Sequence, residues 1–174
     1  MSSQTSKDVY AAEGCKVTFG GVDLGFTSDG GSISHEVSAV DLVHDARGEH
    51  PVDALTRGVR AEVTLNFVKW DQAVWAKLLP LSQQTVGAGG DSKIEVFADV
   101  GSSLYDLSEA LVIHPNALPD TDETFDVRLA KAFPLPFELP YGNDQAVFSV
   151  TFRVFPDQSS GLLMTIGDPS VVAA

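Results

Sequence analysis

Between Val59 and Phe67 the chain reads VRAEVTLNF, in which Val59, Ala61, Val63, Leu65 and Phe67 alternate strictly with Arg60, Glu62, Thr64 and Asn66. Period-two alternation puts successive side chains on opposite faces of a strand, so this segment has one buried and one polar face. The run QAVFSVTFRV repeats the pattern, with Ala146, Phe148, Val150, Phe152 and Val154 on one side. Weaker strand patterns cover 15–19, 32–43, 93–100, 107–114, 125–137 and 162–166. The pattern predicts about eight strands, most of them antiparallel. One segment has helical spacing instead. In DQAVWAKLLP, Val74 and Leu78, like Trp75 and Leu79, stand four apart, Asp71 is suited to the N-cap and Pro80 stops the run. Trp70 and Trp75 are expected to pack the helix onto a sheet.

Turn chemistry links these elements. Gly142, Asn143 and Asp144 predict a turn folding the 125–141 stretch back on the strand that begins at Gln145. Pro134, Pro136 and Pro140 remove ladder donors, so their stretch is expected to bulge or to lie at an edge. A chain of 174 residues suits one domain, with residues 1–13 as an N-terminal arm. The opening MSSQTSKDVYAAEG lacks a basic start followed by an apolar run, and no later run approaches the roughly 18 apolar residues of a spanning helix. A soluble protein without a cleaved export signal is expected.

Charge removes one class of function. Eleven basic against 24 acidic side chains give a formal charge of −13, and such a surface repels phosphate backbones. Specific binding of DNA or RNA is therefore not expected. The single cysteine, Cys15, has no internal disulfide partner and reads as a small buried residue of the first strand.

Catalytic chemistry is not apparent. His44 and His50 stand near Asp45, Glu49 and Asp53, but their spacing matches no common ligand pattern. DTDETFD, with Asp120, Asp122, Glu123 and Asp126, lacks the glycine and the distal glutamate of a calcium loop and reads as an exposed acidic turn. GAGGDSK, 87–93, lacks the spacing that cradles phosphate, and no nucleophile elbow occurs. The chain reads as a non-enzyme without cofactor or metal.

Two features remain. One is a long excursion, 44–58, expected to be an irregular loop between two strands; such loops are commonly functional or disordered. Asp45, Arg47, Glu49, Asp53 and Arg57 give it both signs of charge, suited to ion pairs with an identical neighbour, and Pro51 limits its freedom. The other is the strand before it, where Ser32, Ser34, Glu36 and Ser38 fall on one face and Ile33, Val37 and Ala39 on the other. Glu62, on the strand after the excursion, is expected to extend the polar face.

The order of these parts, from the GVDLG turn at 21–25 through GEHPVDALTRG at 48–58 to VRAEVTLNF and a short helix, resembles the N-terminal half of tail tube proteins of long-tailed bacteriophages. The resemblance runs from Gly14 to about Pro80 and rests on order and spacing. It implies a mainly β fold, an antiparallel sandwich or half-barrel with one short flanking α-helix and a long hairpin loop. It further implies hexameric rings stacked into a tube of a long non-contractile, siphophage-type tail, assembled in the host cytoplasm and carried in the virion. The partners implied are other copies of the chain, a tape measure protein, a tail terminator and a distal tail protein. Genomic DNA would pass through without specific binding, and no membrane is involved. In this frame the 44–58 loop reaches the adjacent ring, and Ser32, Ser34, Glu36, Ser38 and Glu62 face the lumen. The alternatives are the tube of a contractile injection or secretion device, a monomeric β-sandwich binding module such as an adhesin or carbohydrate binder, and, weakest, a hydrolase using His44 and His50.

Overall fold

The computed structural model describes residues 14–43, 50–142 and 145–172. In chain order the elements are β1 (Cys15–Phe19), β2 (Val22–Val43), β3 (Pro51–Phe67), α1 (Gln72–Leu78), β4 (Ser82–Val86), β5 (Ser92–Val96), β6 (Glu109–Pro115), β7 (Val127–Pro134), β8 (Phe148–Val154) and β9 (Thr165–Ile166). The main sheet is antiparallel and seven-stranded, in the order β6-β1-β2-β3-β8-β7-β9. Because β6 also pairs with β7, the six strands β6-β1-β2-β3-β8-β7 close on themselves. Closure removes the unpaired edges that an open sheet would expose. The expected mainly β, antiparallel fold with one short helix is what forms.

The alternation in the sequence fills this closed sheet. Ala61, Val63, Leu65 and Phe67 of β3 and Phe148, Val150, Phe152 and Val154 of β8 all point into the core, beside Val17, Phe19, Leu111 and Leu129. Phe19 meets Phe152 at 5.3 Å between ring centroids, and Phe67 meets Phe148 at 5.8 Å, both tilted, an arrangement the ring quadrupoles favour. β1 turns into β2 through Gly20 and Gly21, with φ of 52° and 79°, between the paired Phe19 and Val22. Two consecutive left-handed residues match the twist of a tight hairpin, and glycine adopts them without a Cβ penalty.

α1 begins as expected. The Asp71 carboxylate accepts from the Ala73 backbone N–H at 2.8 Å, and Val74 and Leu78 are buried beneath the helix. Lys77 in its last turn pairs with Glu109 of β6 at 2.6 Å, fastening the helix to the sheet. β4 and β5 form a separate two-stranded hairpin across the glycine-rich 87–91 turn.

One expectation needs correction, and a second is met in one of its two forms. Pro51 to Gly58 is not irregular loop but the first half of β3, paired with β2 as far as Val43↔Pro51. Pro51 is tolerated because it is the first residue of its strand. Of the two forms expected for the proline-bearing stretch, the edge is not found, since β7 pairs with β6, β8 and β9, but the bulge is: the register against β6 passes from Glu109↔Ala132 to Leu111↔Leu129, with one residue extra on β7. Pro134 ends the strand, and Leu135 N–H still donates to Thr151 O at 2.8 Å. The fold-back of this stretch on β8 is present, while Asn143 and Asp144 lie outside the described residues.

Candidate functional site

β2 and β3 are far longer than the strands beside them, and the excess sets up the surface of interest. β1 pairs with β2 only as far as Phe26, and β8 pairs with β3 only from Ala61 onward. Beyond those points the two strands continue together as a ribbon, from Ser32 to Val43 and from Pro51 to Arg60. At about 3.3 Å per residue the Ser32 to Val43 strand extends roughly 40 Å. The ribbon leaves the closed sheet at a bulge, where the register passes from Thr27↔Phe67 to Gly31↔Leu65 and Asp29 and Gly30 both have positive φ. Among the described residues neither outer edge of the ribbon has a partner strand.

Register decides which side chains share a face. Ser32 stands opposite Thr64, Ser34 opposite Glu62, Glu36 opposite Arg60 and Ser38 opposite Gly58. On β8 the same face continues as Arg153 beside Glu62 and Thr151 beside Thr64. The expected lumen-facing set, Ser32, Ser34, Glu36, Ser38 and Glu62, therefore lies on one continuous polar wall. Its hydroxyls are held down: Ser34 Oγ donates to Glu62 O at 3.3 Å and Ser38 Oγ to Gly58 O at 3.2 Å. Thr64 Oγ1 meets Thr151 Oγ1 at 3.0 Å, and Arg153 Nε lies 3.7 Å from Glu62 Oε1. The opposite face of the ribbon base carries the exposed Ile33, Val37 and Val59.

A second bulge changes the ribbon's chemistry. Ser38 pairs with Gly58 but Ala39 pairs with Thr56, so Arg57 is an extra residue on β3. β2 continues to alternate without interruption, so Val40 and Leu42, with Leu55 opposite Val40, emerge on the side where the serines stood. The wall is polar at the base of the arm and turns apolar at Val40, Leu55 and Leu42 toward its tip, where Asp53 stands opposite Leu42. Sequence reasoning did not foresee this switch.

Of the residues assigned to the excursion, Pro51, Asp53 and Arg57 lie on this arm, in β3 and exposed. Asp45, Arg47 and Glu49, with His44, lie outside the described residues. His50 is exposed just before β3. Among the described residues no three His, Cys, Asp or Glu side chains are grouped to hold a metal, and no helix is long and apolar enough to cross a membrane.

The DTDETFD stretch is only partly the exposed turn expected. Asp122 accepts from Thr124, which holds its carboxyl below the usual range, and it is partly exposed. Asp126 is instead buried, bonded to His114 Nδ1 at 2.6 Å and 3.4 Å from Arg128 Nη2, which also pairs with Glu123 at 2.7 Å. This network joins β6 to β7. The odd carboxylate could have been found from its place beside Val127, where a strand enters the core. Burial raises the Cys15 thiol above its ordinary value, in keeping with its packing against the core. Trp75 is half-buried against the core, but Trp70 is 45% exposed and meets Trp75 and Tyr141 edge to face at 4.3 and 5.4 Å.

No protein-family model matches the chain, and no curated protein matches it. Solved structures do. The chain is similar to the tube-terminating cap of the anti-feeding prophage, with a TM-score of 0.59 and 13% identity over 95% of this chain and 93% of that one. It is also similar to a chain of the sheath-tube complex of PVC, an extracellular contractile injection system, in its extended state, with a TM-score of 0.53 and 15% identity over 95% and 99%. The sheath/tube terminator of PVC gives a TM-score of 0.51 and 14% identity over 87% and 92%. At these identities the likeness is one of fold, and it spans nearly the whole of each chain.

Proposed function

We propose that this chain is a structural subunit that joins copies of itself into stacked rings, forming a tube of the phage-tail kind. The observation that carries the reading is the β2–β3 arm, which leaves a closed sheet with two unpaired edges and both faces exposed. Unpaired edges invite pairing with another chain, and copies of this chain supply complementary ones. In the version put forward the rings are hexameric, the polar wall lines a channel for the genome, and the tail is long and non-contractile. A second reading, the tube or terminating cap of a contractile injection device, draws support from the fold likeness to chains of such assemblies.

Electron microscopy of the purified chain, concentrated or nucleated with tail initiation partners, tests both. Long tubes are expected. Isolated rings that never stack would favour the cap, and monomers at every concentration would refute self-assembly.

A further inference from the structure

A cleft of about 310 Å³ opens between the start of β4, the loop preceding β6 and the end of β7. Pro80, Leu81, Leu104, Leu107 and Leu135 supply apolar walls, and the exposed carboxylate of Asp99 borders it. Asp99 accepts a hydrogen bond from Ser102, but no cation lies within ion-pair distance of it among the described residues. The tip of the arm is chemically its complement. Val40, Leu42 and Leu55 form an apolar stripe on one side of the ribbon, ended by Asp53 opposite Leu42. Arg57, extra at the bulge just below that stripe, has neither ion pair nor hydrogen bond among the described residues.

The geometry points to one occupant: we propose that the arm tip of one copy seats in this cleft of a second copy. Val40, Leu42 and Leu55 pack against Pro80, Leu104 and Leu135, and Arg57 pairs with Asp99 across the interface. The arm runs outward with both faces exposed, so its own cleft is not its target. Copies that repel through their net charge need a local reversal of sign where they meet, and Arg57 with Asp99 provides it. The contact rests on the tube reading and extends it by naming the surface that receives the arm.

The test uses the full chain with Asp99→Arg, Arg57→Asp, the two combined, and Leu104→Glu. Sedimentation and electron microscopy measure the concentration at which tubes form, and thermal melting confirms folding. Each single variant should raise that concentration tenfold or more, and the combined variant should return it to within about threefold of wild type. Wild-type tubes insensitive to Asp99→Arg and Leu104→Glu would overturn the contact alone and leave the cleft to another occupant. A combined variant no better than its singles would overturn the Arg57–Asp99 pairing. A wild-type chain that stays monomeric would overturn the tube reading, and this contact with it.

Discussion

Gly31 stands where the arm leaves the closed sheet, and its missing side chain is a structural requirement. A Cβ there would lie 2.4 Å from Leu65 Cδ2 and 2.7 Å from the Thr64 carbonyl oxygen, so Gly31→Ala must push β2 off β3 or displace a core leucine. Overpacking of this kind costs about 1–3 kcal/mol. Gly58, on the same ribbon, is different: a Cβ would meet only Ser38 Oγ, at an ordinary 3.6 Å. Gly58→Ala should leave stability unchanged or raise it by about 0.4–1 kcal/mol, through the lowered entropy of the unfolded chain. Chemical denaturation of the two variants checks the contrast, and equal effects would mean that the bulge is not tightly packed. None of this was legible in SDGGS, which marks a turn but not which glycine is crowded. The partner of the buried Asp126 was hidden for a similar reason: His114 is on another strand.

At the scale of elements, the strands that line the core and the β2 side of the arm were legible, and the β3 side of the arm was not. Alternation reports a difference between two faces, and β1, β8 and the Ala61 to Phe67 half of β3 have one buried face each. Pro51 to Arg60 has none, so its side chains follow no burial period and the segment resembled a loop. β4, with its SQQTV sequence, escaped notice because its inward residues are polar and only half-buried. The helix was found because Asp71, Val74, Leu78 and Pro80 are local signals that need no tertiary partner. The arm's independence from the core gives a prediction. Ser38 and Gly58 face each other, so replacing 39–57 by Asn-Gly closes the ribbon with a two-residue turn. No described residue among those removed belongs to the core. The melting temperature should stay within a few degrees of wild type, while stacking into tubes is lost. Tubes of normal length from the shortened chain would remove the arm from assembly.

At the scale of the whole molecule, the polar wall either lines a channel or faces outward from the assembly. Glu36 stands on that wall opposite Arg60 and Glu62 beside Arg153, so among small hydroxyl side chains the wall is wet and each cation has a carboxylate as its neighbour. If copies close into a ring with this face inward, Glu36→Lys with Glu62→Lys converts it into bands of cations repeated along the tube. Folding should survive. Glu62 and Arg153 are each roughly half exposed and 3.7 Å apart, and a pair so exposed contributes less than about 1 kcal/mol. Tubes assembled from the lysine variant in the presence of short duplex DNA should then retain it, whereas wild-type tubes should not. Retention should fall steeply with salt, by about a thousandfold or more between roughly 50 and 200 mM where six or more phosphates are neutralised. Because the lumen excludes a nuclease, the retained DNA should also resist digestion until the tubes are dissociated. DNA that binds the variant but is digested at once would place the serine-rich wall on the outside of the tube.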